Sequence, residues 1–186
     1  EGLHGHLLNP FPVTRTGHQF DIDIDDLSGG DEVVLVFEVT SRKLLRDTRL
    51  PLELSLTWTD PASNSRRTEE AAVEPLTVVD DRIYAGIPGS DDVATQRALL
   101  QAASDQRRAM ELDRAGSYRE SRKLLHQAVD VLMNAPATDE VLRLRTEAET
   151  YADFDASAPL TEHTRKQATH NALSRARRRQ SIDQIP

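Results

Sequence analysis

The sequence predicts an α+β protein: an antiparallel, immunoglobulin-like β-sandwich over residues 1–88, then a helical hairpin or small bundle of three to four helices over 89–186. Three observations carry that expectation. Before residue 90 apolar side chains recur at every second position, the period of a half-buried strand. From Ser90 onward they recur at three- and four-residue steps, the period of a helix packed on one side. Ile87-Pro88-Gly89 separates the two regimes and reads as a domain boundary.

Taken in order, Leu3 to Leu8 is a short strand that ends at the turn signal Asn9-Pro10, and Gly17-His18 offers a second turn. Phe20, Ile22 and Ile24 alternate with Asp21, Asp23 and Asp25, which gives a strand with one apolar face. Leu27 to Glu32, with Gly29 and Gly30, has hairpin length and is expected to pair the Phe20 strand antiparallel with the next. That next run, Val33 to Val39, is apolar at nearly every residue and suits a strand covered on both faces. Ser41 to Thr48 is polar and basic, a loop or a crossover. Leu50, Leu52, Leu54, Leu56 and Trp58 then form the most regular alternation in the chain, with the expectation that Trp58, the only Trp, lies in the sandwich core. Asp60-Pro61-Ala62-Ser63-Asn64 turns the chain back through Arg67 to Val73 and Leu76 to Val79, for six or seven strands in all.

In the helical half, Val93, Leu99, Leu100, Ala103 and Met110 define one face of a long first helix, and Gly116 stands where a helix C-terminus needs positive φ. Ser117 and Glu120 form a capping box for a second helix, whose packed face holds Tyr118, Ser121, Leu125, Ala128 and Leu132. Thr138, with Asp139 and Glu140 in the first turn, caps a third that carries Val141, Leu144, Ala148 and Tyr151. A fourth, from 161 to about 180, has the thin face Ala168, Ala172, Leu173 and Ala176, expected to fray or to need a partner.

Composition excludes several classes. With no cysteine among 186 residues there is neither a disulfide framework nor a thiolate metal site. No apolar run approaches the roughly 20 residues that span a bilayer, and the first residues lack the pattern of a signal peptide. The chain starts without Met and reads as a segment of a longer protein, whose compartment the sequence leaves open between the cytoplasm, which is favoured, and export. The net charge of −8 is uneven: residues 1–90 carry 8 basic and 16 acidic side chains, 91–160 carry 9 and 13, and 161–186 carry 6 and 2. An acidic body repels phosphate backbones, so only the basic tail suits nucleic acid.

Constellations that could carry chemistry fall short. Asp21, Asp23, Asp25 and Glu32 occupy the first, third, fifth and twelfth positions of a calcium loop, but Asp26 stands where Gly is required and the flanks read as strands. His4 and His6 share a strand face without a third ligand, and His163 and His170 lie two helical turns apart. No G-x-S-x-G elbow or phosphate-binding glycine loop occurs. The expectation is no catalytic site, no cofactor and no metal in this segment.

Leu112, Gly116, Tyr118, Leu125, Ala128 and Pro136 resemble a single tetratricopeptide repeat, with Ser121 in place of the usual small Ala. More broadly, the strand before Asp26-Leu27-Ser28-Gly29-Gly30-Asp31-Glu32, the apolar strand after it, the alternating strand closing on Trp58-Thr59-Asp60 and the Gly116-Ser117-Tyr118 hairpin occur in the order seen downstream of the von Willebrand factor A domain in many bacterial proteins. The resemblance covers most of residues 13–135. It implies a non-catalytic assembly module that supports an upstream A domain of the same chain and presents a helical surface to a partner protein. The A domain's D-x-S-x-S metal motif is not in this sequence; Asp155-Ala156-Ser157-Ala158-Pro159 is the nearest approach, and any divalent metal would belong to that upstream domain. The candidate interaction surface comprises Tyr118, Arg119 and Arg122 together with the tail arginines Arg175, Arg177, Arg178 and Arg179. The alternative function is binding of nucleic acid or another acidic surface through that tail.

Overall fold

The computed structural model describes residues 3–24, 26–27, 31–41, 44–176 and 179–181, and it is a mixed α and β structure. The chain divides into two compact units, one of Ser41–Pro88 with Glu1–Gly2, the other of Leu3–Thr40 with Gly89–Pro186. Residues 3–40 thus group with the helices and not with the later strands, which differs from a 1–88 and 89–186 division. The described strands pair two by two, and a closed sandwich is not formed by these pairings.

In the larger unit, β1 (Leu3–Leu7) pairs with β5 (Phe37–Ser41), and β2 (Val13–Thr16) folds back through Gly17-His18 onto β3 (Gln19–Ile22). Gly17 adopts φ +63°, the conformation that makes this tight turn cheap for glycine. The Phe20 strand therefore pairs backward with β2, not forward across Leu27–Glu32 as expected. The expected single apolar strand is two pieces, β4 (Asp31–Val33) and β5, and Val34, Phe37 and Val39 are exposed instead of covered on both faces. The glycine-rich stretch at 28–30 lies outside the described residues.

Side-chain chemistry explains why this N-terminal stretch belongs with the helices. The buried Asn9 carboxamide donates from Nδ2 to the Val34 carbonyl at 2.9 Å and accepts the Val36 N–H at 2.8 Å, while the Leu8 N–H bonds the Val36 carbonyl at 2.9 Å. These bonds hold Leu8 and Val36 against the buried cluster of Leu100, Ala103 and Ala172. Phe20 meets Phe37 edge-on at 6.1 Å with Arg15 over its ring at 5.2 Å. Gly5 faces the same ring so closely that a Cβ would sit 2.9 Å from it, and His4 and His6 on either side of it are exposed.

In the other unit, β6 (Arg49–Leu50), β7 (Glu53–Asp60), β8 (Ser65–Ala72) and β9 (Leu76–Thr77) make one long antiparallel hairpin. Its ladder breaks where Pro51 and Leu52 on one arm face Val73, Glu74 and Pro75 on the other: prolines donate no hydrogen bond, and one arm has an extra residue. The turn is built by Asp60, whose carboxylate accepts the Ala62 N–H and the Ser63 hydroxyl, each at 2.9 Å. The Ala62 N–H first, then these other donors, hold the Asp60 carboxyl below the usual range. A short helix, α1 (Asp81–Tyr84), follows, its first amides capped by the Asp80 carboxylate; strand periodicity gave no hint of it.

The remaining helices are α2 (Asp91–Arg114), α3 (Tyr118–Met133), α4 (Asp139–Ala152) and α5 (Glu162–Ala176). Gly116 ends α2 at φ +83°, with its own N–H on the Asp113 carbonyl and the Ser117 N–H on the Leu112 carbonyl, the paired bonds of a Schellman turn. Thr138 caps α4 through its hydroxyl, as expected, whereas Ser117 occupies the N-cap of α3 without a side-chain cap bond. Helix α2 packs against both α3 and α5, and α4 against α3. Leu99, Ala102, Ala128, Leu132, Val141 and Leu144 fill one layer, and Ala109, Met110, Leu125, Tyr151, Leu160 and Ala168 the next. The thin face of α5 is buried at Ala168 and Ala172, since small side chains let that helix lie close to α2; α2 is the partner it needs. Val93, counted on the apolar face of α2, is exposed.

Candidate functional site

Of the residues expected to form an interaction surface, Arg119 is exposed and Tyr118 half-buried, both in the first turn of α3. Arg122 is not on the surface. Only 3 % of it is exposed, because Asp113, the last residue but one of α2, draws its guanidinium inward. Asp113 is fully buried and accepts from Arg122 Nη1 at 3.1 Å, from Arg165 Nη1 of α5 at 3.0 Å, and from the Leu160 N–H at 3.1 and 3.2 Å. Arg122 spends its other N–H groups on the carbonyls of Phe154 (3.3 Å) and Ala158 (3.1 Å). One carboxylate thus ties α2, α3, α5 and the loop before α5 together. The planar fork of arginine is what allows one side chain to serve Asp113 and two carbonyls at once. A second polar contact lies at Glu147 of α4, whose Oε1 accepts from Gln106 Nε2 of α2 (3.2 Å) and Asn171 Nδ2 of α5 (3.1 Å).

Sequence periodicity missed Asp113 and misassigned Arg122. One local signal exists: an acid in the last turn of a helix faces the negative end of the helix dipole, and it persists there only with compensation from elsewhere.

The tail arginines are placed only in part. Arg177 and Arg178 lie outside the described residues; for Arg175 in α5 and Arg179 in β10 (Arg179–Ser181) only the backbone is described. Strand β10 pairs antiparallel with β4, Arg179 opposite Val33 and Ser181 opposite Asp31. The tail therefore continues past α5 into a strand that helical periodicity did not suggest.

The most distinctive surface is on the hairpin. Leu54, Leu56 and Trp58 stand on one face of β7, and across the ladder Ala71, Glu69 and Arg67 share that face. The strand alternation is as expected, but its burial is not: Leu54 is 54 % exposed, Leu56 49 % and Trp58 37 %, with Leu52 and Val73 exposed at the ladder break. Among the described residues 44–88 none is buried. Two strands have one layer only, so their apolar face has nothing within the ribbon to pack on. Arg67 is neutralised on this face by Asp60 at 2.9 Å.

Among the described residues no group of three His, Asp or Glu side chains converges on a common point. Asp25 and the side chain of Glu32, two members of the calcium-loop pattern, lie outside the described residues, and Asp21 is on strand β3. Asp155 accepts the N–H and hydroxyl of Ser157 at 2.8 and 2.7 Å, a local turn whose bonds lower its pKa, the N–H contributing most. No helix among the described residues is long and apolar enough to cross a membrane.

One carboxyl on α2 is displaced in the other direction. Burial pushes Asp105 above the ordinary range, against the opposing bonds from the Gln101 amide at 3.1 and 3.2 Å. The folded chain then holds this proton more readily than the unfolded chain, so stability falls as pH rises through the window above the unfolded value of about 4. Asp105→Asn keeps an acceptor for Gln101. It is expected to raise the melting temperature at neutral pH and to change nothing below that window; equal shifts at both pH values would contradict this.

No protein-family model matches the chain, and no curated protein and no solved structure matches it either, so its functional reading rests on its own residues.

Proposed function

We propose that this chain is a non-catalytic assembly module that stands beside a von Willebrand factor A domain of the same polypeptide. The observation that carries the proposal is the uncovered apolar row Leu52, Leu54, Leu56 and Trp58 on a hairpin unit in which no described residue is buried. A ribbon of this kind gains stability chiefly when its apolar face is covered. In this reading the second layer of the expected immunoglobulin-like sandwich is completed against the A domain, and Trp58 is the aromatic anchor of that contact. The order of strands and helical hairpin supports the choice of an A domain as the occupant. The helical unit, held rigid by Asp113 and Arg122, offers Tyr118 and Arg119 at the start of α3 to a further protein. Any divalent metal would be held by the A domain.

The reading requires the full-length polypeptide to carry an apolar strand followed by D-x-S-x-S outside residues 1–186. It also requires the isolated A domain to bind this chain in a one-to-one complex. A full-length polypeptide without that motif, or an A domain that leaves the chain unbound, would overturn it.

A further inference from the structure

In the helical unit the segment from β1 to Pro10 and helices α2 and α5 enclose a cleft of about 210 Å³. Leu8, Leu100 and Ala103 form its apolar lining, and His6, Ser104 and Arg107 its polar one. Among the described residues that line it none is acidic. The wall is fixed, because the Asn9 carboxamide is bound at both ends to the backbone of Val34 and Val36.

Arg107 is the unusual member. In helices α2 to α5 the other arginines described as wholly or partly buried, Arg122, Arg145 and Arg165, each have a carboxylate within 4.0 Å, at 3.1, 3.4 and 3.0 Å. Arg107 is half-buried and has neither an ion pair nor a hydrogen bond among the described residues. A guanidinium keeps its charge at ordinary pH, so one that lines a cleft without a carboxylate partner among the described residues is open to an anionic ligand.

We propose that this cleft binds a small monocarboxylate, its carboxylate on Arg107 with the Ser104 hydroxyl and His6 beside it, and its short apolar body against Leu8, Leu100 and Ala103. The cleft is large enough to take a body of a few carbons beside the carboxylate. The site lies within the helical unit and is independent of the assembly surface on the hairpin.

The test is titration of the whole chain with hexanoate, with hexan-1-ol and hexylamine as controls, followed by amide chemical shifts. Hexanoate is expected to shift amides of residues 6–10, 100–107 and 172–173 and to bind roughly tenfold or more weakly to Arg107→Gln, as loss of a charged hydrogen bond implies. Arg107→Lys should recover part of that loss. Ser104→Phe, a change at an exposed position, should block the cleft without altering the melting temperature. The proposal is overturned if hexanoate leaves those amides unmoved at millimolar concentration, or if hexan-1-ol binds equally well. It is also overturned if Arg107→Gln or Ser104→Phe binds like the parent. Tighter binding of an acetylated tripeptide than of hexanoate would assign the cleft to a peptide C-terminus and overturn the free-acid assignment.

Discussion

Asp113→Ala is expected to destabilise the helical unit by about 3–5 kcal/mol, the typical cost of leaving buried charges without their counter-ion. The substitution takes from Arg122, whose side chain is 3 % exposed, the carboxylate it is hydrogen-bonded to, and it deprives Arg165 and the Leu160 N–H of their shared acceptor. That loss is a large part of the roughly 5–15 kcal/mol by which a domain of ordinary stability is folded. Denaturant unfolding followed by helical circular dichroism measures it. Asp113→Asn keeps an acceptor and should cost less. Replacing Asp113, Arg122 and Arg165 together by apolar residues should recover only part of the loss, because the carbonyls of Phe154 and Ala158 would then lack the donors that Arg122 supplies. An Asp113→Ala chain of parental stability would show that this network contributes nothing to the fold.

The second large effect concerns binding and not folding. Leu54→Thr with Leu56→Thr keeps two good strand formers on β7 while removing the centre of the apolar row. Because both leucines are about half exposed, the melting temperature of the chain should scarcely move, within the range of about 0.5 kcal/mol usual for surface positions. Affinity for the A domain should fall on the order of a hundredfold or more, since central apolar anchors cost about 2 kcal/mol or more each when truncated. Titration calorimetry separates the two quantities. A double variant that unfolds while the parent is stable would mean that the row already packs inside the chain.

How much was legible in the sequence depended on how local the cause was. Gly116 at positive φ, the Thr138 cap, the Asp60–Asn64 turn and the buried faces of α3 and α4 all follow from contacts within a few residues, and periodicity located them. The alternation of β7 was equally clear, yet period two says which residues share a face and not whether anything covers it; Leu54, Leu56 and Trp58 share one and remain exposed. Long-range causes were invisible. Asn9 joins backbone 25 and 27 residues away, and Asp113 reaches Arg165 across 52. The first of these attaches residues 3–40 to the helices; the second turns Arg122 from an expected surface cation into an internal strut. Neither has a periodic signature, because each depends on which elements meet.

Trp58 reports directly on whether the hairpin's apolar face stays uncovered until a partner packs on it. As the only Trp it reports on that face alone. In the isolated chain its emission is expected to lie to the red of a fully buried indole and to be open to quenching by acrylamide; with the A domain bound, the emission should shift to the blue and the quenching should fall. Blue-shifted, quencher-protected emission from the isolated chain, together with loss of folding in Trp58→Ala, would contradict the account, because the face would then already be part of a closed core.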